Sequence, residues 1–123
     1  MESRIIDNDT AIRFLKENKA MKEGVFYRQK DVWYGLQRGT QIVAVVGYTI
    51  KKGVLTIGGL FVKKELRGKG IGQGLVNLIM LNNFDTVKNI VSYSRPVMAH
   101  ILDKWGFTTV QVLKNGTKKQ VWR

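Results

Sequence analysis

The segment Arg67-Gly68-Lys69-Gly70-Ile71-Gly72 alternates glycine with two cations, and Gly74 follows just beyond it. Glycine inside a helix costs about 1 kcal/mol relative to alanine, so four of them close together need a reason. Glycines let backbone N–H groups converge and let an anion approach a helix N-terminus, whose dipole and unpaired donors favour negative charge. Arg67 adds a guanidinium that can grip phosphate oxygens through two parallel hydrogen bonds. Two familiar phosphate loops do not fit. A Walker loop needs Lys followed by Ser or Thr after its last glycine, where this chain has Gln73-Gly74. The dinucleotide fingerprint needs a third glycine, and the three possible frames place Gln73, Leu75 and Asn77 there.

Other chemistries are restricted by composition. No cysteine is present and His100 is the only imidazole, so disulfides, thiolate nucleophiles and zinc clusters are not expected, and no metal site is assigned. Lys and Arg number 21 against 9 Asp and Glu, a net charge of +12 that favours anionic partners, coenzyme A and nucleic acid among them. A hydrophobic content of 44% in 123 residues suits one globular domain spanning residues 1–123. With no long apolar run, and none behind Met1-Glu2-Ser3-Arg4, a soluble, cytoplasmic protein without membrane association is expected.

The elements that must position the loop follow from periodicity. Asp9 is the expected N-cap of a helix over roughly residues 10 to 22, with Ala11, Phe14, Leu15 and Met21 near one face and Gly24 ending it. Val32 to Leu36 and Ile42 to Ile50 are rich in β-branched and aromatic residues and flank a turn at Arg38-Gly39, and Lys51-Lys52-Gly53 turns into a third strand, Val54 to Val62. Ile71, Leu75, Leu78 and Ile79 give a buried helix from Gly70 to about Asn83. Asn89 to Tyr93 reads as a covered strand, and Val97, Met98, Ile101, Leu102 and Trp105 as a second apolar helical stripe ended by Gly106. Phe107 to Leu113 and Lys118 to Trp122 flank Asn115-Gly116, a strong hairpin signal.

Leu60-Phe61-Val62-Lys63-Lys64-Glu65-Leu66-Arg67-Gly68-Lys69-Gly70-Ile71-Gly72 resembles the coenzyme A signature of the GNAT acyltransferases, Arg/Gln-x-x-Gly-x-Gly/Ala after a hydrophobic strand. Ile101-Leu102-Asp103-Lys104-Trp105-Gly106-Phe107 is similar to the family's second landmark, a helix ending in Gly-Phe. The resemblance implies an α/β (α+β) fold: a mixed, mostly antiparallel sheet of six to seven strands with flanking helices, splayed between the strand before the loop and its parallel neighbour. It also implies acetyl-CoA (coenzyme A) as cofactor, with Phe61, Val62, Arg67, Gly68, Lys69, Gly70, Ile71 and Gly72 in its site. The pyrophosphate would rest on amides of Leu66 to Gly72, and an N–H near Phe61 or Val62 would polarise the thioester carbonyl. Gly58-Gly59 suits the opening, since paired glycines in a strand mark a bulge or a close approach.

Two positions usual in the family are vacant. The third strand carries no carboxylate to deprotonate the amine, and Leu102 stands where many members have a Tyr that protonates the departing thiolate. Tyr93 and Ser94 are the substitute catalytic candidates; Tyr93 reads equally well as a half-buried strand residue, and Ser94 as a cap for the helix after Pro96. His100 is expected to face solvent, Trp105 to pack in the core, and Trp33 and Trp122 are open between core and base-stacking roles. Asp31, Tyr34 and Glu23 border the region where the family admits its acceptor. The expected function is an N-acetyltransferase transferring acetyl from acetyl-CoA to a primary amine of a small molecule or protein, with a homodimer through C-terminal strands as a family habit. Two alternatives stand beside it. One is a GNAT-fold enzyme of the phage type that modifies DNA or RNA, with Lys51, Lys52, Lys114, Lys118 and Lys119 as its basic surface; the other is a non-catalytic coenzyme A-binding module.

Overall fold

A computed structural model describes residues 1–123. Seven strands form one sheet: β1 (Glu2–Ile6), β2 (Val32–Arg38), β3 (Gln41–Lys51), β4 (Val54–Val62), β5 (Asn89–Ser94), β6 (Thr108–Val112) and β7 (Lys118–Trp122). Three α-helices accompany them: α1 (Asn8–Glu17), α2 (Ile71–Asn83) and α3 (Pro96–Lys104). The strand order is β1-β2-β3-β4-β5-β7-β6, antiparallel throughout except between β4 and β5. No helix is long and apolar enough to cross a membrane.

The expected strands stand where the alternation placed them, and β4 runs over the expected residues. The β3–β4 turn has Lys52 and Gly53 both at positive φ, 52° and 80°, the primed geometry whose twist matches a two-residue hairpin. Strand β1 was not expected. It is an edge strand with only Ile6 buried, so it shows no alternation of buried and exposed positions, and it is held by antiparallel pairing with β2.

The first helix differs from expectation at both ends. Its cap is Asp7, not Asp9: Asp7 Oδ1 accepts the Thr10 N–H at 2.7 Å, and hydrogen bonding to the Thr10 side chain, then to this N–H, holds its carboxyl below the usual range. The helix stops at Glu17, where Asn18 donates its side-chain amide to the Phe14 carbonyl at 2.8 Å and Lys19 turns left-handed. A separate 3-10 turn, Ala20–Glu23, then ends on Gly24. The break rotates Met21 away from the face of Ala11, Phe14 and Leu15, leaving it exposed.

Each face of the sheet has its own core. On one, α2 and α3 pack Leu75, Val76, Ile79, Met80, Ile101 and Leu102 against Val46, Leu55, Ile57 and Ile90. Val97, placed in this stripe from sequence, lies instead in the first turn of α3, exposed beside Pro96. On the other face, α1 packs Ala11, Phe14 and Leu15 against Trp33, Val45 and Phe61. Trp33 is therefore core and no stacking platform; Trp105 and Trp122 pack partly buried against the first cluster.

Asn8 ties α1 to the chain entering β2. Its Oδ1 accepts from the Lys30 N–H and from Trp33 Nε1, both at 2.8 Å, and its Nδ2 donates to the Lys30 carbonyl at 3.1 Å. Removing it strands the indole N–H of a fully buried tryptophan and two backbone groups. Asn8→Ala is expected to cost about 3 kcal/mol, at about 1 kcal/mol for each of the three groups left without a partner, read as a lower midpoint in urea denaturation.

Candidate active site

Strand β4 pairs with β5 only along Val54–Ile57 with Asn89–Ser92. Beyond Ile57 the β3–β4 register slips, so that Gly59 and Leu60 both stand opposite Val46, and Gly59 takes a φ of +72°. This is a bulge with glycine at its left-handed position. A side chain there would also collide with Trp33, whose ring atom Cη2 lies 2.6 Å from the Cβ position. The bulge bends β4 off β5 and leaves Leu60–Val62 without a partner on that side. The Lys63 N–H donates to the Val43 carbonyl, so by strand alternation Phe61 also faces β3 while the Leu60 and Val62 backbones face the opening.

The open edge runs into the glycine loop. A 3-10 turn over Lys64–Leu66 buries Leu66 as an anchor; Gly68 and Gly70 then both take a φ of +79°, and Gly70 caps α2. The first helical bond closes from the Gly74 N–H to the Gly70 carbonyl, which leaves the N–H groups of Ile71, Gly72 and Gln73 ahead of any helical partner. No side chain caps them. A Cβ at Gly68 or Gly70 would meet nothing within 4 Å, so these positions require glycine for backbone conformation and leave open space above the donors. Gly72 sits in ordinary contact range of Leu60 and Ile101, seating α2 close over β4.

Arg67 is held by three groups. Its Nε donates to the Val62 carbonyl at 2.8 Å, its Nη1 pairs with Glu23 Oε1 at 2.8 Å, and its guanidinium lies 5.0 Å from the centroid of the Phe61 ring. Glu23, one of three residues placed near the acceptor region, is thus joined to the loop. The other two are engaged elsewhere: Asp31 accepts the Ile50 N–H at 2.8 Å, and the Tyr34 hydroxyl accepts from Asn82 at 3.1 Å. Lys69 projects into solvent.

The two candidate hydroxyls lie on opposite faces of β5. Continuing the β4–β5 register past Ile57 and Ser92 sets Tyr93 opposite Gly58, exposed on the α1 face, with Lys119 Nζ 5.9 Å from its ring centroid. Ser94 is buried and donates to Ser92 Oγ at 2.9 Å. It does not cap α3: the N-cap is Arg95, with no side-chain bond. Ser94 lines a cavity of about 330 Å³ on the β7 side of β5, with His100, Asp103 and Lys118. His100 is exposed, as expected, and Leu102 is fully buried in the core.

The five lysines of the expected basic surface fall into two separate groups. Lys51 and Lys52 sit at the turn beside the start of β5, whereas Lys118 pairs with Ser94 at its end, so the two groups lie a strand length apart, roughly 17 Å. Two residues at the opening carry no sequence signal of their own. Arg95 reaches from the end of β5 to Gly24, its Nε 3.0 Å from that glycine's Cβ position, and Lys30 Nζ comes within 3.2 Å of the Cβ position of Gly58.

The sequence matches the model of the acetyltransferase (GNAT) family over residues 4–83. No curated protein matches it. Among solved structures it is similar to Escherichia coli ElaA, with a TM-score of 0.77 at 14% identity over 98% of this chain and 97% of that one. An acyl-CoA N-acyltransferase from Pseudomonas aeruginosa gives a TM-score of 0.77 at 13% identity, covering 99% of both chains. The Bacillus subtilis N-acetyltransferase YlbP, solved in complex with coenzyme A, gives 0.63 at 18% identity over 99% of this chain and 97% of that one. At these identities the likeness is one of fold.

The Arg67 hydrogen bond is the main cause that lowers the Glu23 pKa, helped by the charges of Arg67 and Lys64 and opposed by partial desolvation. A depressed folded-state value means that the stabilisation is present above the ordinary glutamate value of 4.5 and is lost as pH falls through the folded one. Glu23→Gln is therefore expected to be slightly less stable than wild type at pH 7, with the gap closing in denaturant midpoints as the pH falls below 4.5.

Proposed function

Because this chain belongs to the GNAT acetyltransferase family, we propose that it transfers the acetyl group of acetyl-CoA to a primary amine, with residues 1–123 acting as one catalytic unit. Acetyl-CoA is the family's cofactor. The observation that carries the reading is the open edge of β4 running straight into three unpaired helix N–H groups under left-handed glycines.

These residues fit the group. The N–H groups of Ile71, Gly72 and Gln73 would hold its phosphates, and Gly68, Lys69 and Gly70 would shape the space above them. Arg67, already fixed by the Val62 carbonyl, offers a further donor pair once Glu23 releases it. The unpaired edge at Leu60 and Val62 would receive the pantetheine arm, with Phe61 supporting Arg67 from beneath. When bound, the cofactor supplies the acyl group as a thioester. The Val62 N–H, directed into the opening, is the donor for the carbonyl oxygen on which charge develops. Tyr93, at the apex of the opening, is the better placed of the two hydroxyls to give the departing sulfur a proton. Ser94 is assigned the lesser task of holding the end of β5 through Ser92.

The acceptor is an amine of a small molecule or of a protein. The lysines of the two hairpin turns lie a strand length apart, so a nucleic-acid substrate is supported by the +12 charge alone and not by one lysine patch.

Calorimetric titration with acetyl-CoA tests the seat of the phosphates. Arg67→Ala is expected to weaken binding ten- to a hundredfold, the loss of a charge-assisted hydrogen bond. Gly70→Asp should weaken it at least as much by adding a negative charge at a residue with a φ of +79°. Unchanged affinity in both folded variants places the cofactor elsewhere. Thiol release against an amine panel separates an enzyme from a binding module. Tyr93→Phe is expected to lower kcat tenfold or more, the lower range for a general acid, with acetyl-CoA affinity retained.

A further inference from the structure

Lys30 ends the segment that leads into β2, and its side chain occupies a slot in the sheet surface rather than open solvent. Its stem crosses Gly47, where a Cβ would stand 2.7 Å from Lys30 Cδ, and its Nζ reaches the Cβ position of Gly58 at 3.2 Å. The ammonium lies 5.9 Å from the centroid of the Trp33 ring. Its backbone is clamped on both sides by Asn8, at 2.8 Å on the N–H and 3.1 Å on the carbonyl. An ordinary surface lysine keeps its rotamer freedom; this one is fixed at its backbone and along its stem.

The slot ends at the opening between β4 and β5. Gly58 follows Ile57, the last β4 residue paired with β5, and Tyr93 follows its partner Ser92, so both stand on the same face where the ladder ends. The Lys30 ammonium therefore stands at the apex where acyl transfer is proposed. It has no counter-ion. The structure's one ion pair joins Glu23 to Arg67, and Asp31, next in sequence to Lys30, directs its carboxylate to the Ile50 N–H. Burial and then the neighbouring Arg28 charge lower the Lys30 pKa, which marks an ammonium short of compensation. A half-buried positive charge without a partner favours any anion that can reach it. A cationic acceptor would instead meet Lys30, with Arg28 beside it, where its amine must enter.

Resting on the acyl-transfer reading above, we propose that the acceptor is a small amine carrying an anionic group, carboxylate or phosphate, and that Lys30 selects it by pairing with that group. The pairing brings the amine to the apex beside the open edge of β4 and neutralises a charge that would otherwise repel it. Gly47 and Gly58 are then specificity features, since a side chain at either would displace the lysine.

The test uses four amines that share one two-carbon frame: β-alanine, O-phosphoethanolamine, ethanolamine and ethylenediamine. Each is titrated calorimetrically into the full chain, with and without coenzyme A. The two anionic amines are expected to bind at least tenfold more tightly than the other two, and their ratio separates carboxylate from phosphate. Lys30→Met, which keeps the stem and so the packing on Gly47, should abolish the preference, and Lys30→Arg should keep part of it. Equal binding across the series, no binding by either anionic amine, or a preference that survives in Lys30→Met overturns the proposal. So does a Lys30→Met variant that binds all four as wild type does but turns over more slowly with each, which would make Lys30 a proton carrier instead. Coenzyme A affinity, measured alongside, reports on the acyl-transfer reading separately.

Discussion

The bulge at Gly59 is the constraint from which the candidate site follows. A regular β4 would pair with β5 along its whole length and leave no opening. Gly59 accepts a left-handed conformation that other residues resist, and the Trp33 ring closes the space where any side chain would go. Position and residue type are thus fixed together: the ring needs the glycine, and the glycine bends the strand. Trp33 is itself fixed by Asn8, so the opening is anchored through the α1 face although the loop that borders it belongs to α2 on the other.

Electrostatics completes the arrangement. Four cationic side chains, Lys30, Arg67, Lys69 and Arg95, surround the opening and its loop, and Glu23 is the one carboxylate engaged there. Three helix N–H groups without helical partners add partial positive charge without adding bulk. The chain's excess of basic residues is therefore partly local in purpose, although the lysines of the two hairpin turns lie apart from one another.

Much of this was legible in the sequence where one residue type answers one local demand. Glycines at Gly68 and Gly70 announce a left-handed loop, Gly58-Gly59 a bulge, and β-branched runs the strands that carry them. The first helix was misread at its ends because Asp7 and Asp9 are equally good caps by type, and only the position of Asn8 against β2 separates them. β1 escaped because an edge strand with a single buried residue has no period to detect. Glu23–Arg67 and Lys30–Gly58 escaped for another reason: each joins residues far apart in the chain, and a charged side chain gives no periodic sign of where it ends up. The vacancy at Leu102 was visible, whereas the placing of Tyr93 and Ser94 on opposite faces of β5 depended on register.

The opening also divides the sheet mechanically. Four rungs of parallel ladder, Val54–Asn89 to Ile57–Ser92, are the only sheet pairing between the β1–β4 meander and the β5–β7–β6 half. Parallel pairing is slightly weaker per residue than antiparallel pairing, and here it is short. The two halves thus meet at a seam, held shut chiefly by the apolar packing of α2 and α3 across it. Breathing motions of the molecule would concentrate at that seam, so helix packing resists the widening of an opening that the bulge creates.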